Sequence, residues 1–169
     1  DKMSKYRDCY AGKVTEEYVD KIITTSGWIE NIRDHGGVIF VDVRDITGVI
    51  QVVSNDDSIF DGITRESSIT ISGMIRKRAE EDYNDHITTG TIERLVDTLE
   101  VLGKSKNVLP FEVMTSHEVS EDVRLKYRYL DLRRNPVKNR LIARHKIVTS
   151  IREYLNNLNF IEIETPILC

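Results

Sequence analysis

Between Val38 and Val53 the chain runs through two stretches of alternating character joined by a short break, and few folds accommodate that pattern. Successive strand side chains point to opposite faces, so Ile39, Val41 and Val43 share one side while Phe40, Asp42 and Arg44 share the other. After Ile46-Thr47-Gly48, Ile50 and Val52 point one way and Val49, Gln51 and Val53 the other. A turn that pairs Arg44 with Val49 sets Asp42 opposite Gln51 and Phe40 opposite Val53. Gln51 then becomes a diagonal neighbour of Phe40. One face of this hairpin is aliphatic and belongs in a core. The other carries an aromatic ring beside a carboxamide, flanked by charges.

Three more runs read as strands: Lys21–Ile29, Ile69–Arg78 and Ile92–Leu102. Gly73 inside the second of these suggests a bulge or sharp bend. Residues Asp56–Arg65 leave room for a short helix between the third and fourth strands. Five strands with a helix at that point describe a small Greek-key barrel of the oligonucleotide-binding (OB) type. An SH3-like barrel is the alternative, and it needs no helix. The fold is therefore expected to be mainly β, with the barrel over 1–103.

The flanks follow a different pattern. Thr15 is placed to cap one helical turn at Glu16-Glu17-Tyr18. Residues 104–135 read as a hinge, exposed and partly extended around Lys104-Ser105-Lys106-Asn107 and Leu109-Pro110. A long helix is expected to start near Pro136, since proline suits a first helical position. Val148, Ile151, Leu155 and Leu158 give it one apolar stripe, and it should stop around Asn156–Asn159. Phe160-Ile161-Glu162-Ile163-Glu164 alternates as a final strand before Thr165-Pro166.

With 40% hydrophobic and 31% charged residues, the composition suits a packed core, and no apolar run is long enough to cross a membrane. The N-terminus lacks the apolar stretch of a signal peptide. Two cysteines, Cys9 and Cys169, sit at opposite ends and read as free thiols in a reducing compartment. The four histidines show no ligand spacing, so no metal site is expected. The net charge of −4 is unevenly spread. Residues 124–146 hold nine Lys/Arg against Asp131 alone, while residues 1–123 hold 14 bases and 24 acids. The basic segment can attract nucleic-acid phosphates or simply form a solvated helix face.

On pattern alone, Phe40 has two destinies. It can be covered by the N-terminal segment, or it can be left for a nucleobase to stack on, an interaction worth roughly 1–3 kcal/mol per base. A neighbouring amide with donors and an acceptor can then select one base edge. Arg33 and His35, in what reads as a flexible glycine-rich loop before the strand, lie close enough to join such a site.

Several blocks resemble the start of bacterial-type aspartyl-tRNA synthetases: Gly27-Trp28-Ile29, Arg33-Asp34-His35-Gly36-Gly37, Ile39-Phe40-Val41-Asp42, Arg44-Asp45 and Gly48–Val53, with Arg124–Arg134 further on. The stretch Asn159–Leu168 resembles the first signature motif of class II synthetases. The likeness implies an OB barrel that grips the tRNA anticodon. It implies that Phe40 stacks on the central uridine, that Gln51 hydrogen-bonds it, and that Glu93 contacts the first base. Arg33, Arg76 and Arg78 would surround the loop, and His35 would face the third base. Residues 136–169 would begin the catalytic domain, with Pro166 at a homodimer interface.

The resemblance implies a cytoplasmic ligase that attaches aspartate to tRNA(Asp), and in some members tRNA(Asn), using ATP and magnesium. No catalytic residue is assigned, because the motifs that hold ATP and aspartate are expected beyond Cys169, and the chain alone is expected to be inactive. Departures are a short Ser54–Arg65 segment and Asp82, where relatives often carry an amide. A lysyl or asparaginyl enzyme and a free-standing RNA-binding module remain alternatives. The Arg33–Gly37 and Arg124–Arg134 strings argue against the first and the class II motif against the second.

Overall fold

The computed structural model describes residues 4–168. Cys169 lies outside them. The chain divides into two compact units, Asp1–Val108 and Leu109–Cys169.

The first unit is a closed five-stranded barrel of β1 (Ile22–His35), β2 (Val38–Arg44), β3 (Val49–Ser54), β4 (Ser68–Lys77) and β5 (Ile92–Gly103), in the spatial order β1-β2-β3-β5-β4. β3 and β5 pair in parallel and all other neighbours are antiparallel. β1 spans two roles: its first half pairs with β4 and its second with β2, with a register shift between Ile29 and Asn31 where it bends. The β2–β3 hairpin adopts the expected register, Arg44 with Val49, Asp42 with Gln51 and Phe40 with Val53.

Ile29, Val41, Val43, Ile50, Val52, Ile69, Ile71 and Ile75 are fully buried in the barrel core. Each such side chain contributes roughly 1.5–3 kcal/mol of burial. The bulge expected at Gly73 is present, as a register shift against β5. A Cβ there would sit 1.9 Å from the Leu95 carbonyl oxygen, so the two backbones approach closely only because the residue is glycine.

Arg44, on the face of β2 opposite the core, and Arg94 are both buried. Arg44 is held by Glu30 and, through two bonds of 2.8 Å, by Glu66. Among the described residues Arg94 pairs with no carboxylate. Its Nη1 donates to Thr25 Oγ1 at 2.5 Å, while Nε and Nη2 are buried without partners. Burial pushes its ionisation down to about 10. Cys9, a free thiol, is half-buried, and desolvation raises its pKa.

Several sequence expectations need correction. Between β3 and β4 the expected short helix is a single 3-10 turn, Asp57–Phe60, capped by Asp56 Oδ1 accepting from the Ser58 amide. Glu16–Tyr18 is also a 3-10 turn, and Thr15 makes no side-chain cap. The Ile32–Gly37 loop is mostly strand. β1 continues through His35, and Gly36-Gly37, both at positive φ, form a two-residue hairpin turn that glycine alone adopts cheaply.

In the second unit Phe111, Val113 and Leu130 form a small core, so residues 109–135 are partly packed. They include α1 (Glu121–Lys126) and α2 (Arg128–Asp131). Asp131 is fully buried. Ser116 Oγ donates to it at 2.7 Å, Arg128 pairs with it, and Arg134 Nε donates to Ser116 Oγ at 2.9 Å. Part of the basic 124–146 run is thus committed internally.

The long helix α3 (Asn135–Asn157) carries proline in its first turn, as expected. It ends where Asn159 adopts φ +63° and the Phe160 amide reaches back to the Leu155 carbonyl at 3.1 Å, the pattern of a left-handed helix stop. No strand forms over 160–164. The residues alternate but have no neighbouring strand to supply a ladder.

Candidate nucleic-acid interface

All seven barrel residues singled out from the sequence line one groove of about 660 Å³: Arg33, His35, Phe40, Gln51, Arg76, Arg78 and Glu93. Each comes from the outward face of its element. β1 supplies Arg33 and His35, β2 Phe40, β3 Gln51, β4 Arg76 and β5 Glu93, with Arg78 just past β4. Val38, Val53, Asn55 and Asp82 complete the lining. Pro166 lies in the other unit, exposed and in irregular backbone.

Phe40 is half-buried and stays outside the core cluster. The His35 ring meets it edge-on, with centroids 5.4 Å apart and planes at 87°. Beside it runs a chain of hydrogen bonds. Arg33 Nη2 donates to Asp42 Oδ1 at 3.1 Å and to Gln51 Oε1 at 3.2 Å. Gln51 Nε2 donates to Glu93 Oε2 at 2.8 Å, and Arg76 Nε donates to Glu93 Oε1 at 2.7 Å. Desolvation raises the Asp42 pKa, opposed by the Arg33 and Arg78 charges.

Arg78 is 8% exposed. Its Nε donates to the Ile92 carbonyl at 2.8 Å, while its buried Nη2 has no hydrogen-bond partner among the described residues. Burial lowers its pKa. A buried cation on a groove wall with a spare donor has the capacity to take a further acceptor.

Asp42, Asn55 and Asp82 were not assigned to the site from the sequence. Asp42 could have been found, because the alternation already placed it on the same face as Phe40. Asn55 carries no periodic signal, being one residue past β3.

Residues 23–102 match the model of the OB-fold nucleic acid binding domain, and residues 120–169 that of the class II tRNA synthetases (D, K and N). A nucleic-acid-binding barrel followed by this segment defines a class II tRNA synthetase. The solved asparaginyl-tRNA synthetase from Pyrococcus horikoshii, complexed with asparaginyl-adenylate, superposes with TM-score 0.77 at 23% identity, covering 94% of this chain and 36% of that one. The aspartyl-tRNA synthetase from Entamoeba histolytica gives 0.77 at 23%, covering 91% and 38%. At such identities these neighbours speak for the fold.

Sequence narrows the family further. The chain is 44% identical to the Aspartate–tRNA(Asp/Asn) ligase of Ehrlichia ruminantium (strain Gardel), across 98% of this chain and 29% of that protein. It is likewise 44% identical to the enzyme of the same name from Thermoanaerobacter pseudethanolicus, across 93% and 27%. The chain belongs to the aspartyl-tRNA synthetase family and spans less than a third of the length of these relatives.

Proposed function

We propose that the barrel groove reads the anticodon of tRNA(Asp), and of tRNA(Asn) as a second substrate, for an enzyme that joins aspartate to tRNA. The central uridine stacks on Phe40 and its edge meets the Gln51 amide. Glu93 and Arg76 face the first base, His35 the third, and Arg33 and Arg78 the surrounding backbone. The observation that carries this is one groove holding an aromatic ring outside the core, a polarised carboxamide beside it and an unpartnered buried guanidinium donor. The barrel's acidic balance is no obstacle, since base contacts specify while phosphate contacts only position.

In the whole enzyme, ATP with magnesium activates aspartate as an adenylate before transfer to the tRNA 3′ end. The second unit would contribute to a homodimer through α3 and the segment reaching Pro166. Exposed Ile147, Ile151, Tyr154 and Leu155 on that helix, with Leu158 just past its end, support such a role. Among the described residues no helix is long and apolar enough to cross a membrane, and the cytoplasm is the expected site of action. The boundaries adopted are a barrel over 1–103, a hinge over 104–135 and the start of a catalytic domain from 136.

The test is binding of anticodon stem-loops that differ only at the central base. The chain should prefer uridine, and it should charge no tRNA on its own. Equal binding of all four loops would overturn the assignment.

A further inference from the structure

Asp42 touches no base in the arrangement above, yet it anchors the side chain that faces Gln51. We propose that Asp42 is a positioning residue that fixes which way round the Gln51 carboxamide points, and thereby sets the preference for uracil over cytosine on Phe40. The inference rests on the proposed anticodon role of the groove.

The polarity of the amide follows from its neighbours. Oε1 accepts from Arg33 Nη2 at 3.2 Å and Nε2 donates to Glu93 Oε2 at 2.8 Å. Turned over, the amide would set its NH2 against a guanidinium, which has only donors, and its oxygen against a carboxylate, which has only acceptors. Both contacts would become repulsive. The carboxylate end is itself pinned by Arg76 at 2.7 Å.

The guanidinium end depends on Asp42. The Arg33 side chain is 40% exposed, and a long side chain so placed samples many rotamers unless something holds it. Asp42, with its side chain only 18% exposed and directly opposite Gln51 in the β2–β3 ladder, takes the same Nη2 at 3.1 Å.

Fixed polarity matters because the two pyrimidines present opposite patterns. Uracil offers an acceptor at O4 beside a donor at N3, whereas cytosine offers a donor at N4 beside an acceptor at N3. An amide free to turn over satisfies either base. A locked one satisfies a single pattern and meets the other with like against like, which is where an unmade polar contact costs most.

The experiment compares the whole chain with its Asp42→Ala, Asp42→Asn, Asp42→Glu and Gln51→Ala variants, binding stem-loops with U or C at the central position. Asp42→Ala should lower the U-over-C ratio about three- to tenfold, mainly by improving binding of the C loop. Asp42→Asn, close in shape and safe for folding, should lower it about threefold. Asp42→Glu should restore it.

A purely structural role would weaken both loops equally and leave the ratio untouched. An unchanged ratio in Asp42→Ala or Asp42→Asn, with Gln51→Ala abolishing the preference, overturns the inference alone. No U-over-C preference in the unmodified chain overturns the anticodon role beneath it.

Discussion

Gln51 and Glu93 meet across the parallel pairing of β3 with β5, the amide donating to the carboxylate at 2.8 Å. Gln51→Glu would set two carboxylates at that distance. Like charges so close cannot both ionise cheaply, so one pKa rises. The variant should melt lower than the parent at pH 7 and recover toward pH 5. Its affinity for a U-centred stem-loop should fall about tenfold. Thermal melts at the two pH values and a binding titration check this.

Phe40→Ala should cost roughly 1–3 kcal/mol of stem-loop affinity, about 5- to 150-fold, whatever base stands at the centre. Phe40→Trp should retain binding, since every base can stack on an indole. A loss confined to the U-centred loop would contradict a stacking role.

Arg44 is 3% exposed and Glu66 8%. Arg44→Met leaves a buried carboxylate without its main partner and should destabilise the barrel by about 3–5 kcal/mol. Adding Glu66→Leu to that variant should regain part of the loss, because two apolar groups bury more cheaply than one unpaired charge. Urea unfolding followed by Trp28 fluorescence is a direct readout, with the Arg44 guanidinium 6.0 Å from that ring.

Gly73→Ala places a methyl group 1.9 Å from a backbone oxygen of β5. Neither strand can yield without disturbing the ladder, so a loss of at least about 1–3 kcal/mol is expected in the same unfolding experiment.

Asp131 provides a pH dependence in the second unit. Burial pushes its carboxyl up, but the Ser116 hydroxyl and Arg128 guanidinium outweigh that and hold it below its ordinary value. A depressed carboxylate contributes stability that is complete above the unfolded-state pKa and is lost as pH falls through the native one. Protection of the Leu130 and Asp131 amides against hydrogen exchange, taken relative to each amide's intrinsic rate, should therefore fall below about pH 4 in the parent protein. In Asp131→Asn that protection should be lower at neutral pH and vary less with acid.

Much of the barrel could be read directly from the chain. The β2–β3 register followed from alternation, because a slip of one residue would expose Val41 and bury Asp42. Gly73 and the proline start of α3 were readable for similarly local reasons. Arg94 was not: its parity matches that of Ile92, which faces inward, but its charge argues outward, and tertiary packing decided. The 160–164 stretch alternates like a strand yet has no partner, and pairing is not a local property. Asp42's link to Arg33 depends on the β1–β2 register, which sets Arg33 opposite Phe40 and diagonal to Asp42 and which includes a shift between Ile29 and Asn31 that alternation does not reveal. Alternation alone paired Phe40 with Gln51, and only the family resemblance grouped all seven groove residues; their convergence as geometry needed the closed barrel.

That closure has a thermodynamic corollary. Arg33, Gln51 and Glu93 lie far apart along the chain, and the parallel seam between β3 and β5 unites the last two only once the ring of strands is complete. An unfolded chain therefore offers RNA no groove. Ligand and folding become linked quantities: saturating RNA, at about a hundred times its dissociation constant, should raise the barrel's unfolding free energy by about 2.7 kcal/mol.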